Sequence, residues 1–328
     1  MIRSLYWAPS GPLQTDLPAS AITDALAQAG GLLWLDLTDE EPAAFEPLLR
    51  DTFGFHPLAI EDALRELHVA KIDDWGDYVY LVLHALQLDP ALADPVQLLE
   101  LDIFVGSNYI VTHHERELAP LEQVWGALRE GRRPESLQPS RLLHHLVDEL
   151  VSSHLPTVEQ VDSAMEDLED AIFLRPDVPA LEQILNMKRG VMQIRRALGP
   201  QREVFNRLAR DPHAAIAEAD RVYFRDTYDQ AIRLLDITDS MRDQATSALD
   251  TYLSAVNNRM NDVMKTLTII TTLFMPLSFV ASFFGMNFFA PVAALHDWTA
   301  TPALIATLAL MVVTPIGMYL WMRRRHWM

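Results

Sequence analysis

The chain has no cysteine among its 328 residues. That excludes a disulfide framework and a thiolate metal centre, and it fits a reducing compartment. The opening stretch, MIRSLYWAPSGPLQTDLP, lacks a long apolar run, so no cleaved leader is expected. Basic side chains are in short supply: 26 Lys and Arg stand against 45 Asp and Glu, a formal charge of −19. Such a surface would repel nucleic-acid phosphates, so nucleic acid is not expected as a partner. It favours cations, although net negative charge also serves plain solubility. No P-loop, glycine-rich dinucleotide turn, nucleophile elbow or HExxH pattern occurs, so neither ATP-driven transport nor an enzyme is expected.

Charge is missing altogether from residues 266–286 and 302–322. Each run is mostly apolar and, at about 20 residues, long enough to cross a bilayer. From Met264 onward the only formal charges are Lys265, Asp297, Arg323, Arg324 and Arg325. The preceding 263 residues therefore carry 22 basic and 44 acidic side chains, a net charge near −22. Arg259 and Lys265 precede the first run, Arg323–Arg325 follow the second, and the linker has no Lys or Arg. The positive-inside rule then places both termini in the cytoplasm and the linker outside. Trp298, Trp321 and Trp327 fall near the span ends, where aromatic belts sit.

The acidic part divides in two. Residues 1–138 mix strand signals (IRSLYW, GLLWLDL, DYVYLVLHALQL, LELDIFVGSNYIVTHH) with short helical ones (AITDALAQA, HPLAIEDALREL), and Asn108 in GSNY reads as a hairpin turn. This predicts an α/β domain with a mixed sheet. Residues 139–263 read as long helices, interrupted at Pro176, Pro179 and Pro212. The last of them starts near Ala214 and meets no proline or glycine before Pro276, so it is expected to run directly into the first span, 264–286. A linker (287–301), a second span (302–322) and a basic tail (323–328) complete the chain.

The first span has a polar stripe. Asn261, Met264, Thr268, Thr271, Met275, Ser278, Ser282 and Asn287 step mainly by three and four, with Leu267 alongside, which puts most of them on one helix face. Small hydroxyls in a membrane helix can serve helix packing or bond back to their own backbone. An asparagine at each end of the stripe favours a pore lining instead. Two spans cannot enclose a path, so that reading requires a ring of subunits, with the first span inside and the blander second span facing lipid.

The stretch NDVMKTLTIITTLFMPLSFVASFFGMNF resembles the CorA family of magnesium channels, through Met275–Pro276 and the Gly-Met-Asn signature at Gly285, Met286 and Asn287. HPLAIEDAL, KIDDWGDYVYLVLHAL and YFRDTYDQAIRLLD look like further landmarks of that family, and the similarity covers essentially the whole chain. It implies a funnel-shaped homopentamer in the cell inner membrane: an N-terminal cytoplasmic α+β or α/β domain, long helices, and two C-terminal transmembrane helices. By resemblance, Gly285, Met286 and Asn287 form the selectivity filter. Asn261, Met264, Leu267, Thr271, Met275, Ser278 and Ser282 line the pore. Asp226 and, across a subunit seam, Asp89 are the regulatory Mg²⁺ ligands.

Physical chemistry is consistent with Mg²⁺ as cargo. The ion holds its waters tightly, and a neutral amide ring can hydrogen-bond the hydrated ion without stripping it. The order among Mg²⁺, Co²⁺, Ni²⁺ and Zn²⁺ is left open. The linker's one acid, Asp297, lies ten residues beyond Asn287, farther than in many relatives, and Ser152 and Ser153 stand where relatives often have more acid. Two other readings stand beside the channel: a proton-coupled zinc transporter of the ZntB branch, against which Met286 argues, and a membrane-anchored metal sensor that conducts nothing. His113–His114 and His144–His145 diverge on a strand and a helix respectively, so a structural or surface role is expected for both pairs.

Overall fold

The structure, a computed structural model, describes residues 1–9, 11–38, 42–65, 69–89, 95–131, 138–174, 178–286 and 301–325. It divides into two units, Met1–Tyr252 and Leu253–Met328.

The first unit is built on a seven-stranded sheet ordered β2-β1-β3-β7-β6-β5-β4. Its strands are β1 (Ile2–Trp7), β2 (Leu13–Thr15), β3 (Leu32–Thr38), β4 (Lys71–Asp74), β5 (Val79–Leu88), β6 (Val96–Val105) and β7 (Tyr109–His114). Only the β3–β7 pair is parallel among them; the rest are antiparallel, so the sheet is mixed as expected. The hairpin at Asn108 joins β6 to β7, and its side-chain amide donates to the Leu26 carbonyl at 2.8 Å. Strand alternation splits the core into two layers. Leu32, Trp34, Leu81, Leu83, Ile103 and Ile110 face one side, and Leu33, Leu35, Tyr80, Val82, Phe104 and Val111 the other.

The second of these faces is covered by α1 (Ala19–Ala27), α2 (Pro42–Pro47), a π-helical turn (Leu48–Thr52) and α3 (Pro57–Ala63). The first takes α4 (Ala119–Arg129), α5 (Pro139–Leu174), α6 (Val178–Arg210) and the start of α7 (Arg221–Gly285). Strands β2 and β4 and helices α2 and α4 were not foreseen. The expected break at Pro212 follows the end of α6 at Arg210, whereas Pro179 interrupts nothing: it lies in the first turn of α6, where a missing N–H costs nothing. Pro176 itself lies outside the described residues.

Helix α7 begins seven residues later than the sequence suggested, after a short 3-10 turn. In that turn Asp220 is buried beside the helix N-terminus, where its charge is favourable. Ser140 donates to it and Arg141 pairs with it at 2.8 Å. Along α7 the buried positions are Phe224, Thr227, Ala231, Leu234, Thr238, Met241, Ala245, Ala248 and Tyr252. That alternation of three and four is the seam of a coiled coil. The seam stops at Tyr252 but the helix does not.

β4 covers β5 only as far as Val82. Beyond it, the His84 N–H donates to Gln201 Oε1 of α6 at 3.2 Å, and the His84 carbonyl lies 3.1 Å from His154 Nε2 of α5. Side chains thus supply the partners that a neighbouring strand would otherwise provide. Burial lowers the His154 pKa to about 4, so the ring is neutral at physiological pH and Nε2 carries the proton it donates.

In the second unit, α7 continues to Gly285 and α8 runs from Thr301 to Arg324. Both are long and apolar enough to cross a membrane, and the apolar windows of both are unburied.

Candidate functional site

Because α7 is unbroken to Gly285, helical geometry fixes the faces of its second half. At about 100° per residue, Asn261, Met264, Leu267, Thr268, Thr271, Met275, Ser278, Ser282 and Gly285 fall within an arc of about 120°. The arc extends over about 36 Å, slightly more than a bilayer's hydrocarbon core. Every one of these residues is exposed in the single chain. Met264, Leu267 and Met275 are the large apolar members, and Met275 is 68% exposed.

The two threonine hydroxyls on this arc bond back to their own helix. Thr268 Oγ1 donates to the Met264 carbonyl at 2.7 Å and Thr271 Oγ1 to Leu267 at 2.9 Å; Thr266 does the same to Asp262. A threonine hydroxyl has one proton, and here it is spent inside the helix. Its oxygen is left as an acceptor only. That polarity suits the outward-pointing hydrogens of a hydrated cation and offers nothing to an anion.

Gly285 closes the helix, with the Met286 N–H bonded to the Phe283 carbonyl at 3.3 Å. A Cβ at position 285 would meet no described atom within 4 Å. Nothing described inside one chain therefore demands glycine there. Asn287 and the linker, including Asp297 and Trp298, lie outside the described residues, as does Trp327.

The two carboxylates singled out for sensing sit in the first unit. Asp226 is in the second turn of α7, and its Oδ2 accepts from Gln230 Nε2 at 3.0 Å. The same nitrogen lies 3.3 Å from Asp148 Oδ1 on α5. One amide thus joins carboxylates from two helices. His144 lies against Tyr223 and Phe224, and its pKa is lowered chiefly by burial, against the opposing pull of Asp148 and Asp226. Asp89 directly follows β5, and its N–H donates to the Pro95 carbonyl at 2.7 Å, just before β6. Among the described residues, no group of three or more His, Asp or Glu side chains is arranged to hold a metal ion. Asp148 was passed over in the sequence, although it opens the very segment, DELVSSHL, in which Ser152 and Ser153 drew attention.

Both histidine pairs have structural partners. His113 Nδ1 is 3.1 Å from Asp102 Oδ2, whereas His114 Nε2 is 3.2 Å from Asp36 Oδ1, on the opposite face of the sheet. His144 and His145 diverge, with ring centroids 5.8 Å apart.

An α/β unit, a long helix whose apolar second half carries a polar stripe, and a second apolar helix fit a two-span membrane protein. Residues 29–324 match the family model of the CorA-like Mg²⁺ transporter protein. The chain belongs to this family of divalent metal ion transporters, which are membrane proteins. It is 30% identical to the cobalt/magnesium transport protein CorA of Thermotoga maritima, over 90% of this chain and 83% of the relative. It is 25% identical to the zinc transport protein ZntB of Yersinia enterocolitica, over 93% and 90% respectively. Its fold matches the complete structure of the CorA magnesium transporter from Methanocaldococcus jannaschii, with a TM-score of 0.81 at 21% identity, covering 99% of this chain and 98% of that one.

Proposed function

We propose that the chain assembles as a homopentamer in the cell inner membrane, both termini cytoplasmic, and imports Mg²⁺ down the membrane potential. The observation that carries this reading is the narrow polar arc of α7, which ends at the Gly-Met-Asn signature. Residues 264–286 of five chains surround a watery axis, and residues 302–322 face lipid. Gly285, Met286 and Asn287 form the filter at the outer mouth. The glycine that no described neighbour requires leaves room for a hydrated ion or an adjoining chain. Asn261, Thr271, Ser278 and Ser282 present acceptors along the path. Met264, Leu267 and Met275 form apolar constrictions that dewet when the pore is closed.

Gating acts through residues 1–263. Five such regions, each near −22, repel one another. Mg²⁺ held at the seams by Asp226 and Asp89, with Asp148 adjoining Asp226, offsets that repulsion and keeps the ring shut. When the ion is scarce, the seams loosen. Co²⁺ or Ni²⁺ would pass by the same route.

Uptake into proteoliposomes tests the reading. An inside-negative potential gives a divalent ion about 4.6 kcal/mol per 100 mV on entry. Mg²⁺ uptake should therefore rise with the imposed potential. Flux indistinguishable from empty vesicles would leave a membrane-anchored sensor. The kinship with ZntB favours a second reading, in which zinc moves with protons. Zinc uptake that needs a pH gradient, with little Mg²⁺ uptake, would establish it.

For gating, Asp226→Lys replaces a ligand by a like charge. The Mg²⁺ concentration that half-protects residues 1–263 from protease should rise at least about tenfold. Equal protection of variant and parent would remove Asp226 from the sensor.

A further inference from the structure

A cavity of about 480 Å³ opens in the first unit, against one face of the sheet. Strand register assembles its floor. Asp102 of β6 pairs directly with His113 of β7, and Glu100, two residues before Asp102, projects to the same side of the sheet. Phe45 of α2 and Ala63 of α3 supply an apolar wall. The volume is that of a small organic ligand. It is far more than a bare ion fills, and among the described residues no three His, Asp or Glu side chains are arranged to hold a metal.

The charges around this cavity divide by depth. Asp102 is 2% exposed and the Glu100 side chain 12%, whereas Arg65, Arg116 and Glu115 line the cavity from exposed positions. Arg65 is also paired with Glu61 at 2.8 Å. Water and counterions screen the exposed charges, so the buried carboxylates set the sign of the interior. Burial raises the Asp102 pKa, against the opposing pull of His113, Tyr80 and Lys71. A further positive charge nearby would offset that desolvation.

Hydrogen-bond polarity points the same way. Tyr80 donates to one Asp102 oxygen at 2.6 Å, and His113 Nδ1 lies 3.1 Å from the other. Nδ1 therefore carries the ring proton, and Nε2 keeps its lone pair. His113 is 8% exposed and lines the cavity, and its Nε2 has no partner among the described residues. A buried acceptor beside buried carboxylates suits an occupant that brings N–H donors and positive charge. An ammonium group brings both, with three donors and no acceptor. The Phe45 ring, 5.0 Å from the His113 ring between centroids, offers apolar surface to the carbon chain that carries it.

We propose that this cavity binds a small organic amine in its protonated form. The ammonium donates to His113 Nε2, Glu100 and Asp102 balance its charge, and the carbon chain lies against Phe45 and Ala63.

Isothermal titration calorimetry on the detergent-solubilised full-length protein, at constant Mg²⁺, tests it with butylamine and diaminobutane as probes. At least one of them should bind saturably, one per chain. Tetramethylammonium, which has the charge but no N–H, should bind at least about tenfold more weakly, the scale of one lost charge-assisted bond. E100Q keeps the shape of the side chain and removes its charge, and it should weaken amine binding at least about tenfold. H113F, which keeps a ring but has no lone pair, should do likewise. E182Q, which removes one acid from the exposed side of α6, should bind as the parent does, and so should R116Q at the cavity rim. The assignment is overturned if neither amine binds saturably, if tetramethylammonium matches them, if E100Q or H113F matches the parent, or if E182Q or R116Q weakens binding as much as E100Q. Displacement of the amine by equimolar Zn²⁺ would overturn it in favour of a metal site.

Discussion

Replacing Asn287 by alanine is expected to abolish selective Mg²⁺ uptake while the oligomer still forms. In the proposed five-fold ring the substitution removes five amide oxygens at once and deprives the proposed mouth of the groups that would hydrogen-bond an ion's water shell. A hydrated ion then gains nothing in exchange for the bulk water it leaves. Potential-driven uptake in proteoliposomes should fall at least about a hundredfold, the effect of nearly 3 kcal/mol at the selectivity step. Elution volume on size exclusion should be unchanged, since Gly285 and Met286 show no described packing that depends on the next residue. Uptake within twofold of the parent would remove Asn287 from the filter.

The second large effect lies far from the membrane. Asp36 of β3 is fully buried, and Arg3, Thr112 and His114 all bond to it. Arg3 in turn reaches Glu122 on α4 and lies over the Trp125 ring at 4.2 Å. Burial would push the Asp36 carboxyl up, but His114, Thr112 and Arg3 outweigh it and hold its pKa below the usual value. A depressed carboxyl contributes stability above its unfolded pKa of about 3.9, and loses it as pH falls through the lower folded value. Asp36→Ala leaves the buried His114 without its carboxylate and Arg3 with Glu122 alone, a defect of about 3 kcal/mol. At about 2–4 °C per kcal/mol, the melting midpoint of the first unit should drop by roughly 10 °C, measured by circular dichroism on the full-length protein. The variant should also lose the part of the parent's acid sensitivity that the depressed Asp36 carboxyl would contribute. A midpoint within about 2 °C of the parent would contradict the network's role.

Some of this architecture was legible in the residues alone. The five longer strands announce themselves through branched and aromatic side chains, and the spans through the absence of charge. Strand β4, Lys-Ile-Asp-Asp, does not: three of its four residues are charged, and only pairing with Val79–Val82 across the turn that bonds the Trp75 N–H to Tyr78 makes it a strand. At three residues, β2 is too short for any periodicity to register. The buried acids were equally hidden. Asp36 sits in an apolar run, and its partners Thr112 and His114 lie 76 and 78 positions away. Asp148 is one acid among many on α5; what singles it out is Gln230, which reaches it from another helix. The polar arc, by contrast, was readable because it depends on one helix alone, and an unbroken α7 preserves its spacing.

The side-chain closure of β5 has a mechanical corollary. Gln201 and His154 are anchored to one residue of the strand, His84, one through its N–H and the other through its carbonyl. Were α5 or α6 to slide across the sheet, that residue's main chain would be stranded in a dry interior, at a cost of several hydrogen-bond equivalents. These two helices and the sheet are therefore compelled to travel together. A displacement of either helix is therefore shared by the whole block.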